Sequence, residues 1–174
     1  MKKAYLGIDP GVSGALCIMW GDGTIDAYKC PNNVRKMSDL VRSVTSHCAV
    51  ENYKLIAGIE RVWTLPRDGR KGAFTFGMNY GMWLGVLSSH GIEPKLILPK
   101  EWQSMLKGYK IPKDYQDKKR KLKSIAQKFV KFKVTLSTSD AILITKYLKE
   151  YNHERLHGKT KRKRNVAKKR RKTL

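Results

Sequence analysis

Near the start of the chain the run Tyr5-Leu6-Gly7-Ile8-Asp9 ends on a carboxylate, and Pro10-Gly11 follows at once before a second apolar run from Gly14 to Trp20. A strand that finishes on an acid, turns sharply and returns is a strong constraint on the fold. It puts charge at the carboxyl edge of a sheet, where open α/β sheets bind their ligands. The pattern recurs at Leu55-Ile56-Ala57-Gly58-Ile59-Glu60, an apolar run of strand length that also ends in a carboxylate. Such a run suits a strand buried on both faces, as parallel strands are.

The remaining periodicities fill in an α/β order. Residues 3–9 and 14–20 read as strands, and Gly21-Asp22-Gly23 marks a hairpin turn into a third at 24–29. Val34, Met37, Val41 and Val44 have helical spacing, predicting a helix over 34–48. A polar, basic loop spans 61–72, and residues 74–89 read as a helix carrying a glycine row, Gly77, Gly81 and Gly85. Each glycine costs a helix interior about 1 kcal/mol against alanine, so close packing on another element is expected there. A fifth strand is predicted at 95–98, a short helix at 99–106, a basic helix at 114–131 and a last helix at 137–154. Three antiparallel-capable strands followed by helix, strand, helix, strand and helices imply a mixed sheet with helices on its faces.

Charge then limits the partners. The 37 Lys and Arg against 14 Asp and Glu give +23, which points to a polyanion. Residues 158–174 hold ten basic residues and no acid, yet +23 less these ten still leaves +13 on residues 1–157. The expected organisation is one domain over 1–157 and a basic tail over 158–174, disordered until it meets phosphate. Cys17, Cys30 and Cys48 lack metal-ligand spacing and are odd in number, which favours an intracellular, reducing compartment: a bacterial cytoplasm or nucleoid, or a viral factory or nucleus. Neither a membrane span nor a signal peptide is expected.

Three acids stand apart. Asp9 and Glu60 end the two most apolar strands, and Asp140 falls on the inward face of the last helix with Leu143, Ile144 and Tyr147. Taken singly, each has a plain alternative: a turn residue, a partner for Arg61, or the end of a Ser137-x-x-Asp140 capping box. Taken together, three converging carboxylates would repel unless a divalent cation sat between them, Mg²⁺ or Mn²⁺. Such ions activate water and stabilise the leaving oxygen of a phosphodiester.

Four stretches, "GIDPGVSGAL", "IAGIERVW", "FTFGMNYGMWLGVL" and "STSDAILITKYL", in this order and spacing, resemble RuvC-type Holliday junction resolvases over about residues 3–150. The match is nearest to the phage and viral branch with its plastid relatives. The resemblance implies an RNase H-like fold with a five-stranded mixed sheet. It also implies a homodimer that cuts four-way DNA junctions with paired symmetric nicks, using divalent metal and no small-molecule cofactor. It carries over Asp9, Glu60 and Asp140 as metal-binding catalytic acids. Many members have a fourth acid or other metal-capable residue three positions before the last; here that position is Ser137, which leaves metal stoichiometry open. Lys113 aligns with a lysine near the scissile phosphate, and Trp63 with an aromatic that stacks on bases near the crossover, its alternative being a core tryptophan.

Arg67, Arg70 and Lys71, with Lys113, Lys118, Lys119, Arg120 and Lys121, are expected to track phosphates, since residues 118–123 have no balancing acids. The tail Lys159 to Lys172 suits non-specific DNA attraction or nuclear import. Symmetric cutting needs a two-fold dimer, and the glycine-rich helix either forms its interface or packs on the sheet. Other readings are a nuclease of broader branched or flap specificity, and a catalytically silent DNA-packaging protein. The strand–turn–strand motif also fits phosphate-binding sugar kinases and actins, but those need a second lobe that 174 residues do not supply.

Overall fold

The computed structural model of the chain describes residues 1–63 and 69–153. The predicted tail at 158–174 and Arg67 lie outside them.

Five strands form one mixed sheet in the order β3-β2-β1-β4-β5. They are β1 (Lys2–Asp9), β2 (Ala15–Met19), β3 (Ile25–Lys29), β4 (Tyr53–Glu60) and β5 (Lys95–Ile97). The first three pair antiparallel through tight hairpins, while β4 and β5 run parallel to β1. Between them lie α1 (Val34–Val50) and α2 (Arg70–Ser89), followed by α3 (Pro99–Gln103) and α4 (Tyr115–Ala126). Short 3₁₀ turns end α3 and α4, so these helices stop earlier than their apolar spacing suggested. The last helix, α5, covers 138–153 among the described residues.

Alternation along β1 splits the core into two layers. Leu6 and Ile8 face α1 and α2, packing with Met37, Val41 and Trp83. Tyr5 faces the opposite layer with Trp102 of α3, Leu122 of α4 and Leu143 of α5. Both layers are closed, so helices cover both faces of the sheet, and each fully buried aliphatic side chain contributes about 1.5–3 kcal/mol. α1 starts where the Asn33 side chain accepts the Lys36 amide at 2.9 Å, an ordinary N-cap.

The glycines divide in a way the sequence did not indicate. A Cβ at Gly7 would press on Thr145, 2.7 Å from its amide nitrogen, so this strand glycine lets α5 lie against β1. Gly77, Gly81 and Gly85 face open space: a methyl group at any of them would meet nothing within 4 Å among the described residues. The expected packing of that row within the monomer is therefore absent. The buried side of α2 is instead Asn79, Trp83, Val86 and Leu87, and Phe74 stands exposed on the helix's first turns.

Candidate active site

Parallel pairing sets Ile8 opposite Ile59, so Asp9 and Glu60 leave the sheet together at its carboxyl edge. α5 reaches the same edge because of the Gly7 contact. There the Thr145 hydroxyl donates to the Cys17 carbonyl at 3.1 Å or the Ala141 carbonyl at 2.8 Å, both bonds buried. Asp140 sits just over one turn earlier on α5. All three acids line a cleft of about 690 Å³, joined by Lys71, Phe76 and Lys119.

Each carboxylate has a specific environment. Lys119 of α4 meets Asp140 Oδ2 at 2.6 Å, with Asp140 9% exposed and the lysine 26%. The Ser139 hydroxyl donates to the other Asp140 oxygen at 2.9 Å. The Trp102 indole donates to Glu60 Oε1 at 2.6 Å. Burial raises the Asp9 pKa well above its ordinary value, and the charges of Asp140 and Glu60 add to this against the pull of Lys119. Glu60 is raised for the same first reason, opposed by the Trp102 hydrogen bond and reinforced by Asp140. Burial would depress Lys119, but the charge and hydrogen bond of Asp140, with Asp9 behind it, hold its pKa above the ordinary lysine value. The site is a cleft lined by three acids, with the Lys119 ammonium paired to Asp140 and Lys71 also in the lining.

The donor chemistry suits a hard dication: carboxylate oxygens, no arginine among the described residues of the lining, and a phosphate-friendly basic surround. The side chains do not close on one point, however. Among the described residues no three His, Cys, Asp or Glu side chains gather closely enough to hold an ion. Asp140 is turned to Lys119, and Glu60 to Trp102. Lys119 supplies positive charge where a cation would otherwise be required.

Of the other expected positions, Lys71 lines the cleft, and it belongs with Arg70 to the first turn of α2 and not to a loop. The helix begins early because its first turn needs no apolar face, and extended Gly69 precedes it. Lys118 is half-buried and donates to Gln103 at 3.3 Å. Arg120 is exposed and pairs with Asp117 at 3.3 Å. The run 118–123 thus has acid partners after all, Asp140 across the cleft and Asp117 one turn back. Lys121 is half-buried on the same helix. Lys113 is exposed in the segment before α4 and does not line the cleft. Ser137 lies in the turn ahead of α5, also outside the cleft lining. α5 is entered through Thr135, whose hydroxyl accepts the Thr138 amide at 3.2 Å, so the Ser137-to-Asp140 capping box does not form. Trp63 is 55% exposed, which removes its core reading.

Two partners of the acids are not legible as such in the sequence. Lys119 reads there as one phosphate-tracking lysine in a basic run. Its distinguishing mark is its place three residues before buried Leu122, which puts it on the inward shoulder of α4. Trp102 looks like core, and its indole nitrogen gives no signal until β4 and α3 are brought together.

No family model matches the chain, and no curated protein matches it in sequence. Among solved structures it is similar to Thermus thermophilus RuvC in complex with a Holliday junction substrate, at a TM-score of 0.56 and 13% identity over 87% of this chain and 95% of that one. It is also similar to a second Thermus thermophilus RuvC structure, at a TM-score of 0.54 and 16% identity over 86% of this chain and 95% of that one. Identities this low speak to architecture alone. No described helix is long and apolar enough to cross a membrane. The chain has the α/β architecture of RuvC, an RNase H-like mixed sheet of five strands with helices on both faces.

Proposed function

We propose that this chain is a divalent-metal-dependent endonuclease that resolves four-way DNA junctions by paired symmetric nicks, as in recombination, replication and repair. The observation that carries the reading is the meeting of Asp9, Glu60 and Asp140 at one cleft on the carboxyl edge of a RuvC-like sheet. The junction complex of the Thermus thermophilus protein supports branched DNA as the substrate class. The order of the four sequence motifs supports the phage and viral branch.

In this reading Asp9, Glu60 and Asp140 hold Mg²⁺, or Mn²⁺ in its place, which activates water and stabilises the leaving oxygen when bound. Lys119, paired to Asp140 at 2.6 Å, would compete with the ion for that carboxylate and would supply positive charge toward a phosphate if released. Trp102 fixes one oxygen of Glu60, whose side chain lines the cleft. Lys113 and Ser137 remain proposed contributors only through movement of their segments, since neither lines the cleft. Lys71, Lys118, Arg70, Arg120 and Arg67 would track phosphates, and exposed Trp63 would stack on bases near the branch. The functional unit is a homodimer whose interface uses the open glycine face of α2, and residues 158–174 act as a separate basic tail on a domain of 1–157.

Incubating the protein with a labelled synthetic junction and Mg²⁺ should give paired nicks across the branch, and Asp9→Asn should abolish them. Equal cutting by Asp9→Asn would overturn the assignment. Cutting of flaps and forks as readily as junctions would widen the substrate. The silent DNA-binding alternative draws on the Lys119–Asp140 ion pair, and junction binding without cleavage in either Mg²⁺ or Mn²⁺ would establish it.

A further inference from the structure

The turn that follows Asp9 is held from outside its own hairpin. Gly11 adopts φ +127°, a left-handed conformation natural to glycine, and a Cβ there would meet the Phe76 ring at 3.2 Å. Its carbonyl accepts the Gly14 amide at 2.9 Å, and the Gly14 carbonyl accepts the Cys30 amide at 2.9 Å. These bonds tie the turn to the end of β3 but leave the Gly11 amide to be satisfied. Asn79, in the middle of α2 and 68 residues away, accepts that amide through Oδ1 at 2.7 Å. Its Nδ2 donates to Cys30 Sγ at 3.4 Å.

Asn79 is 6% exposed and shares the buried stripe of α2 with the apolar residues Trp83, Val86 and Leu87. A buried primary amide persists in such a place when its donors and acceptors are both engaged. Here one amide group joins the start of the β1–β2 turn to the end of β3, and it does so two residues from Asp9. No other hydrogen bond to the Gly11 amide is formed among the described residues.

We propose that Asn79 is the positioning residue for Asp9: it fixes the Pro10-Gly11 turn against α2 and so sets the direction in which the Asp9 carboxylate enters the cleft. The inference rests on the metal-nuclease reading of that cleft. Outer partners of this kind change metal affinity or activity by about 10- to 100-fold when lost, without touching the metal or the substrate.

The test uses the full-length protein, with Asn79→Ala removing the clamp and Asn79→Asp keeping the acceptor oxygen for Gly11. Val86→Ala serves as a control, since it opens the same layer of the core two turns further along α2 without touching the Pro10-Gly11 turn. In metal-free protein, exchange of the Gly11 amide should accelerate about tenfold or more in Asn79→Ala, stay near wild type in Asn79→Asp, and be unaffected in Val86→Ala beyond its change in global stability. Mn²⁺ binding followed by electron paramagnetic resonance should weaken about 10- to 100-fold in Asn79→Ala alone, while affinity for a junction in metal-free buffer holds within about twofold. Wild-type exchange and Mn²⁺ affinity in Asn79→Ala would overturn the proposal, as would an equal loss in Val86→Ala. If Asn79→Ala fails to fold, loss of Gly11 protection in Asn79→Asp overturns it instead. A wild-type protein that binds no Mn²⁺ refutes the metal reading and, with it, the role of this clamp in that site; the exchange arm then reports separately whether Asn79 holds the turn.

Discussion

The ion pair in the cleft makes a definite prediction about Lys119→Met, which keeps the unbranched stem of the side chain, one atom shorter, and removes its charge. At 2.6 Å the attraction between Lys119 and Asp140 is roughly 6 kcal/mol at an effective dielectric of 20. Desolvation of both groups takes back part of this. Deleting one partner of a buried pair nevertheless costs about 3–5 kcal/mol, because the other charge is left without compensation. With a quarter of the lysine in contact with solvent, the lower end applies, so the metal-free protein should lose about 3 kcal/mol near neutral pH. Urea denaturation in the presence of a chelator measures it. Repeating the titration with saturating Mg²⁺ should shrink the loss, since a bound cation replaces the missing charge. A loss below about 1 kcal/mol in chelator would refute the reasoning, as would a loss that Mg²⁺ leaves unchanged.

Other perturbations address the same architecture. Asp9 and Glu60 hold their protons more tightly folded than unfolded, so their contribution to metal-free stability is full below the ordinary values of 3.8 and 4.5 and declines as pH rises through the raised folded values. Denaturation midpoints measured in chelator from pH 4 to 8 should therefore fall on this account, and Asp9→Asn should flatten the fall while abolishing cleavage. Trp102→Phe removes the donor to Glu60; a loss of about 1–3 kcal/mol and a cleavage rate lower by about tenfold or more are expected by denaturation and single-turnover assay. Gly7→Ala would drive a methyl into the Thr145 backbone, and with α5 held by the core it should lose about 3 kcal/mol or more by thermal melting. Gly81→Ala faces open space in the monomer and should add about 1 kcal/mol to its stability, yet weaken self-association in sedimentation if that face is the dimer contact.

The sheet was legible because its signals are local. Apolar runs that end on Asp9 and Glu60, and turn residues between β1, β2 and β3, each report on a few neighbouring positions. Helix ends were less so: Arg70 and Lys71 begin α2 although nothing apolar marks that turn. What stayed hidden depends on tertiary approach. Gly7 and Gly77 are the same residue in the sequence, yet one admits α5 and the other opens onto empty space. Which was which depended on where β1 and α2 came to lie.

The same distinction governs the site. Three acids could be placed at one edge from strand direction and helix phase, but their partners could not, because Lys119 and Trp102 reach them across 21 and 42 residues. The consequence is chemical as well as structural. On the proposed metal-nuclease reading, carboxylates paired to an ammonium would have to exchange that charge for a metal cation before their oxygens could converge. A fold that carries its own counter-charge into the cleft can therefore assemble the site before an ion arrives, at the cost of a competition between Lys119 and that ion for Asp140.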